Sequence, residues 1–393
     1  MTRQRPRAFE RVFERDGAAL SVALLVAVVC AGCDGAGIGL ADVSAGELSC
    51  ESPVVLGALP PVLYEASGVT RDPRRDDLFW AHNDSGNPAE LFAVDSLGRV
   101  LAVVPVSGAT DRDIEDIATG PCPEGDCLYL GDIGDNFAVR GSVTIHRLPL
   151  PPLPAPEAGA SAGAKAGTGA GARAGVGADA PALAPSAPIA PSASWTLVYS
   201  DGARDAESLA IDGKSNEILV VTKGREGIVE LHVARIDRLH AGGGEPDTLR
   251  RVGSLAVPIG NNTAQYITAA DLSPDGERLA VRSYTTLYEF AWPRNEGAGV
   301  FDTLQAPSHA PLIGALEAQG EGLAWDASGE SLVLVSEGRG DRPPTISRIR
   351  CAPGSAAQAP ATTPAQAPAK APATTPARAP AKDRPSLTAG ESS

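Results

Sequence analysis

One sentence of sequence is written five times along this chain, and that repetition constrains the fold more than any other feature. A short apolar strand opens at Ser67-Gly-Val-Thr, Glu115-Asp-Ile-Ala, Glu207-Ser-Leu-Ala, Thr268-Ala-Ala-Asp and Glu321-Gly-Leu-Ala. A turn signal follows each: Asp72-Pro-Arg-Arg-Asp, the Cys122 to Cys127 turn, Asp212-Gly-Lys-Ser-Asn, Ser273-Pro-Asp-Gly and Asp326-Ala-Ser-Gly. A second apolar strand comes next (Leu78-Phe-Trp, Leu128-Tyr-Leu, Ile218-Leu-Val-Val, Leu279-Ala-Val, Leu332-Val-Leu-Val), and then a polar loop. A further strand lies just upstream of every opening. Four strands recurring about every 50 to 60 residues are the mark of a β-propeller, because one such unit has no way to bury its sheet faces alone.

The expectation is therefore an all-β protein: a β-propeller of five blades of four antiparallel strands, with six blades as the alternative if the long third unit hides a weak one. The fifth opening leaves too few residues for a whole blade before Cys351. The orphan strand Pro53-Val-Val-Leu would complete it, closing the ring with the N-terminal end of the domain. Aromatic residues make up only 4%, while Gly and Pro number 43 and 34, which suits a turn-rich all-β chain better than a helical one.

Around that domain, expected over residues 50–351, the flanks differ in composition. Residues 1–33 carry five arginines and then an apolar run, the pattern of an export signal. The end, Cys30-Ala-Gly-Cys33, resembles a bacterial lipobox and implies lipidation at Cys33; Cys30 stands where such sites usually carry Leu. A Gly/Ala-rich tether follows at 34–49. Residues 150–193, rich in Ala, Gly and Pro, interrupt the second blade as a disordered insert, and 352–393 form a Pro/Ala-rich disordered tail. The expected location is the bacterial cell envelope, periplasmic or cell-surface, with a lipid anchor holding the protein on the membrane. With Cys33 lipidated and Cys30 removed, four cysteines remain. Their even number outside the cytoplasm predicts two disulfides, Cys122 with Cys127 and Cys50 with Cys351.

A formal charge of −15 argues against nucleic acid as a partner, since phosphates reward Lys and Arg. In a propeller, the start of the inner strand and the loop after the second strand share one end of the ring. That places Glu115, Glu207 and Glu321 at one mouth with Asn83, Asp84, Asp132, Asp135 and Asn136. Carboxylate and amide oxygens in that number suit a hard divalent cation, Ca²⁺ above all. Lys223, Arg225, Arg282 and Arg339 in the later blades would suit an anionic small molecule held partly through the ion. Against this stands plain turn chemistry, because Asp and Asn beside Gly are common in tight turns. His82 with Asp84 and Ser85 has the residue types of a hydrolytic triad, but sequence neighbours rarely converge so, and no nucleophile-elbow motif is present.

His82-Asn-Asp-Ser-Gly, Glu115-Asp-Ile-Ala and Gly131-Asp-Ile-Gly-Asp-Asn together resemble a family of uncharacterised bacterial secreted propeller proteins, over roughly residues 65–147. More distantly the layout is similar to phytase-like and gluconolactonase-like propellers. That likeness implies a calcium ion at the channel mouth holding a phosphoester or lactone. Two functions are thus expected: a binding or scaffold module with a divalent-cation site, its partner a small anion or an envelope protein, or a calcium-dependent hydrolase of phosphoesters or lactones.

Overall fold

In the computed structural model the described residues are 46–47, 49–109, 112–153, 185–242, 244–259, 262–292, 303–305, 308–312 and 317–351. The expected export signal, the lipidation at Cys33, most of the tether and the C-terminal tail lie outside them.

The described strands form five four-stranded antiparallel blades. Two short N-terminal strands come first, β1 (Gly46–Glu47) and β2 (Val54–Ala58). Blade one is β3 (Ala66–Arg71), β4 (Leu78–Asn83), β5 (Glu90–Asp95) and β6 (Val100–Pro105). Blade two is β7 (Ile114–Cys122), β8 (Gly125–Asp132), β9 (Val143–Pro149) and β10 (Ala193–Tyr199). Blade three is β11 (Ala206–Asp212), β12 (Glu217–Thr222), β13 (Val229–Arg235) and β14 (Asp247–Leu255). Blade four is β15 (Ile267–Leu272), β16 (Arg278–Ser283), β17 (Thr286–Ala291) and, after the short β18 (Thr303–Leu304), β19 (Ser308–Pro311). Blade five is β20 (Gln319–Trp325), β21 (Ser331–Glu337) and β22 (Thr345–Arg350), and β2 pairs antiparallel with β22 as its fourth strand. The inner strands β3, β7, β11, β15 and β20 touch their neighbours in a closed ring, with β20 back against β3.

Hydrophobic burial explains why five units are needed. The described residues form five apolar cores, one in each gap between adjacent blades. Phe79, Phe92 and Val94 of blade one pack on Val333, Val335 and Ile346 of blade five, for example, and Leu323, Trp325 and Leu334 of blade five on Ala280 and Leu287 of blade four. Each blade buries both faces only because it has a neighbour on each side. Cys50 and Cys351 form a disulfide beside the closing strand, and Cys122 and Cys127 clip the first turn of blade two. Paired cysteines of this kind belong to oxidising compartments, as an exported protein requires. Among the described residues no helix is long and apolar enough to cross a membrane.

Several features depart from the repeat, among them the short parallel pairings of β1 with β19 and of β18 with β14. The outer strands β10 and β14 pair in parallel, joining blades two and three edge to edge. Of the insert expected to be disordered over 150–193, residues 154–184 lie outside the described residues, and the described ends are packed against the blades. The Ser186 and Ile189 amides donate to Val103 and Pro105 carbonyls on the edge of blade one, and Ala193 already belongs to β10. Ile189 gives this stretch an apolar anchor beside Val106 and Leu150, which a composition dominated by Ala and Pro conceals.

A candidate cation site at the upper mouth

Every inner strand carries a β-bulge near its start. Pairing with the second strand slips between Ala66 and Val69, Ile114 and Asp116, Ala206 and Ser208, Ile267 and Ala269, and Gly320 and Leu323. The residues left out of the ladder are Ser67 with Gly68, Glu115, Glu207, Thr268, and Glu321 with Gly322. A bulge re-aims its side chain and bends the strand. Ser67, Glu115, Glu207 and Glu321 accordingly line one cavity of about 140 Å³, with Asp84, Asp113, Asn136, Lys223, Tyr284 and Gln319.

The bulged position does two jobs. In blades one and four it carries a hydroxyl that latches the next blade: Ser67 Oγ donates to Glu115 O at 2.8 Å, and Thr268 Oγ1 to Glu321 O at 3.0 Å. In blades two, three and five it carries a carboxylate facing the channel. Residues next to the bulge latch blades as well. Between blades two and three, Asp116 accepts from the Leu209 amide at 2.8 Å, while Asp271 adds a second latch between blades four and five by accepting from the Trp325 amide at 2.9 Å. The acids at the bulges are thereby spared structural duty.

On one wall, carboxylate oxygens of Asp84, Asp113 and Glu115 all lie within 4.8 Å of one another. Glu115 is 5% exposed, and its carboxylate has no hydrogen-bond or ion-pair partner among the described residues. Burial, and then the charges of Glu207, Asp84 and Asp113, push its pKa well above the ordinary carboxylate range. Asp84 is also raised by burial, although the Ser85 amide donates to it at 2.6 Å. Gly134 makes the cluster sterically allowed. A Cβ built there would stand 2.1 Å from Glu115 Oε1 and 2.5 Å from Asp113 Oδ2, so only glycine fits between these acids.

The opposite wall is internally paired. Lys223 donates to Glu207 Oε1. Burial lifts Glu207 to about 7 against the pull of Lys223. Lys223, which burial alone would lower, is held above its ordinary value chiefly by Glu207. Glu321 is raised well above the usual range by burial and by Glu207, and accepts from Gln319 Nε2 at 2.8 Å.

The sequence-predicted residues divide accordingly. Glu115, Asp84, Asn136, Glu207, Glu321 and Lys223 line the cavity; the other candidates are engaged elsewhere. Asp132 is fully buried and bonded by Arg140 Nη1 at 2.7 Å, while Asp135 accepts from the Arg140 amide at 2.6 Å. Arg140, in the loop after β8, thus supplies the positive charge that a cation would otherwise bring. Asn83 clamps backbone, accepting from the Glu65 amide and donating to Val62 O. Arg225 pairs with Asp205 and reaches Asn136, Arg282 is fully buried against Glu317 at 2.6 Å, and Arg339 is exposed on the loop after β21. Of the four expected anion-binding bases, only Lys223 reaches the cavity, and Glu207 already holds it. His82 is a scaffold residue: its Nε2 accepts from the Gly68 amide at 3.2 Å and its Nδ1 contacts Asn83 O at 2.8 Å. Burial lowers its pKa to about 4, which keeps the ring neutral. It pins the bulge of blade one and takes no part in a triad. Asp113 is the ligand candidate that the loop pattern missed. The available signal was its place two residues before Glu115, on the same side of an extended chain.

Fold and site together define a five-bladed β-propeller with an acidic pocket at one mouth of its channel. No family model matches the sequence, and no curated protein matches it. Solved structures similar to it include a hydrazine synthase of Kuenenia stuttgartiensis, 13% identical, with a TM-score of 0.31, over 69% of this chain and 55% of that one. They also include a gluconolactonase of Xanthomonas campestris, 11% identical, with a TM-score of 0.35, over 78% of this chain and 97% of that one. The chain spans about half the length of the first and nearly all of the second, and neither likeness is close enough to bear on its chemistry.

Proposed function

We propose that this is an exported binding module of the cell envelope, anchored through a lipid on Cys33, whose upper mouth takes a divalent cation of the Ca²⁺ class on Asp84, Asp113 and Glu115. One observation carries the reading: the Glu115 carboxylate is 5% exposed, unpartnered, and pointed at two further carboxylates. A buried anion without a partner is costly, and a cation between the three acids offsets that cost. Oxygens on opposite sides of a Ca²⁺ ion stand about 4.8 Å apart at the usual ligand distance of about 2.4 Å, so the cluster has a fitting span. The cavity, about 140 Å³, accommodates an ion and its water but is below the size of pockets that take whole metabolites, about 300 Å³ and up. That favours binding over hydrolysis of a phosphoester or lactone. Calorimetric titration of chelator-stripped protein with Ca²⁺ tests the proposal. A saturable site lost in Asp113→Asn is expected; the absence of any saturable site in the wild-type protein would refute it.

A further inference from the structure

The opposite end of the channel holds a larger cavity, about 300 Å³, whose walls come from the far ends of the inner strands and the turns that follow them. Most polar groups there are already committed. Asp212 accepts from Trp292 Nε1 at 3.1 Å and from the Lys214 amide at 2.9 Å. Lys214 Nζ donates to Asp275 O, and Thr70 and Thr119 bond each other at 3.0 Å. Two groups are different. Arg71 makes a single long hydrogen bond, Nη1 to Asp72 O at 3.4 Å, and no ion pair among the described residues. Asp271, which latches blade five, accepts the Trp325 amide at 2.9 Å and is also bonded by the Leu272 amide, but it likewise forms no ion pair among the described residues. A guanidinium and a carboxylate therefore line one cavity without meeting. Ile211 and Leu272 add apolar lining.

We propose that this lower mouth is a second, cation-independent binding site for a small carboxylate bearing a hydrogen-bond donor at its other end, bridging Arg71 and Asp271. The planar guanidinium takes a carboxylate through two parallel N–H bonds, a geometry that a hydroxyl does not reproduce. The donor end, an ammonium or a hydroxyl, bonds the lone pairs of the Asp271 carboxylate left over by its two backbone amides. The cavity volume matches the lower end of the range for metabolite pockets, about 300 to 1,000 Å³. An α-amino acid and a sugar acid share this chemistry, and the experiment separates them.

The mature chain is titrated calorimetrically with L-glutamine, D-glucuronate and D-glucose, in chelator. Saturable binding of glutamine identifies an amino-acid site and binding of glucuronate a hydroxy-acid site, while glucose, lacking the carboxylate, should give no saturation. Arg71→Ala should weaken the positive probe about tenfold or more, in keeping with the loss of a charge-assisted pair. Arg71→Lys, which keeps the charge but not the fork, should also weaken it and guards against a folding defect in the alanine variant. Glu115→Gln should leave this affinity unchanged, so the site stands or falls separately from the cation site. The proposal is overturned if neither acid saturates up to about 10 mM, if glucose binds as well as glucuronate, or if both Arg71 variants bind as the wild type does.

Discussion

Replacing Glu115 by Gln should raise stability without calcium and remove most of the stabilisation that calcium gives. Without the ion, Glu115 sits within 4.8 Å of the carboxylate oxygens of Asp84 and Asp113. Two ionised groups at that distance repel by about 3.5 kcal/mol at an effective dielectric of about 20. Proton uptake by the buried acid relieves part of this, leaving a gain of about 1–2 kcal/mol when the charge is deleted. With about 2–4 °C per kcal/mol for a domain of this size, Glu115→Gln should melt roughly 2–8 °C above the wild type in chelator. Calcium works against that gain. If Kd lies at about 10⁻⁴ to 10⁻³ M, as in extracellular modules, about 10 mM Ca²⁺ stabilises the wild type by about 1.4–2.7 kcal/mol, roughly 3–11 °C. The variant, binding about a hundredfold more weakly, should shift by no more than about 2 °C. Scanning calorimetry of both proteins in chelator and in Ca²⁺ reads all four values. A variant that melts lower than the wild type in chelator, or that keeps the full calcium shift, would refute the account of Glu115 as an uncompensated buried acid awaiting an ion.

Three further outcomes follow from the same geometry. In chelator, stability should fall as pH rises from about 4.5 to about 7. The folded pKa values of Glu115 and Glu321 are raised by burial and those of Glu207 and Asp271 are pushed to about 7, so the folded state binds more protons than the unfolded one across that window. A denaturant series showing stability rising with pH there would contradict it. Asp116→Leu should cost about 2–5 kcal/mol in urea unfolding, because it strands the buried Leu209 and Ile117 amides that Asp116 accepts from; a loss under about 1 kcal/mol would deny its role as the latch between blades two and three. Removing the closing disulfide by Cys50→Ser with Cys351→Ser should lower stability by up to about 5 kcal/mol, since it ties residues 301 apart, whereas opening Cys122–Cys127, 5 apart, should cost clearly less. Thermal melts of the two double variants compare them directly, and equal losses would reject the chain-entropy argument.

The ring itself was legible in the sequence. Strand, turn, strand and loop recur with local patterns of two or four residues, and a period too small to stand alone implies neighbours. The incomplete fifth unit announced the closing strand, and the positions of Cys50 and Cys351 on either side of it announced the staple. Glu115, Glu207 and Glu321 could be assigned to one mouth because equivalent positions in a repeat occupy equivalent places in the ring. Tertiary structure alone decided which acids are free. Asp132 and Asp135 read as ligands until Arg140 is seen folded back onto them, and Arg282 reads as an anion-binding base until Glu317 is found against it. Those pairings depend on where a loop returns and on how far one blade leans over the next, and neither leaves a periodic trace. A repeat specifies position around an axis through local patterning; whether a charge at that position is spent or available is set by contacts between distant stretches of chain, and these exist only after the ring has closed.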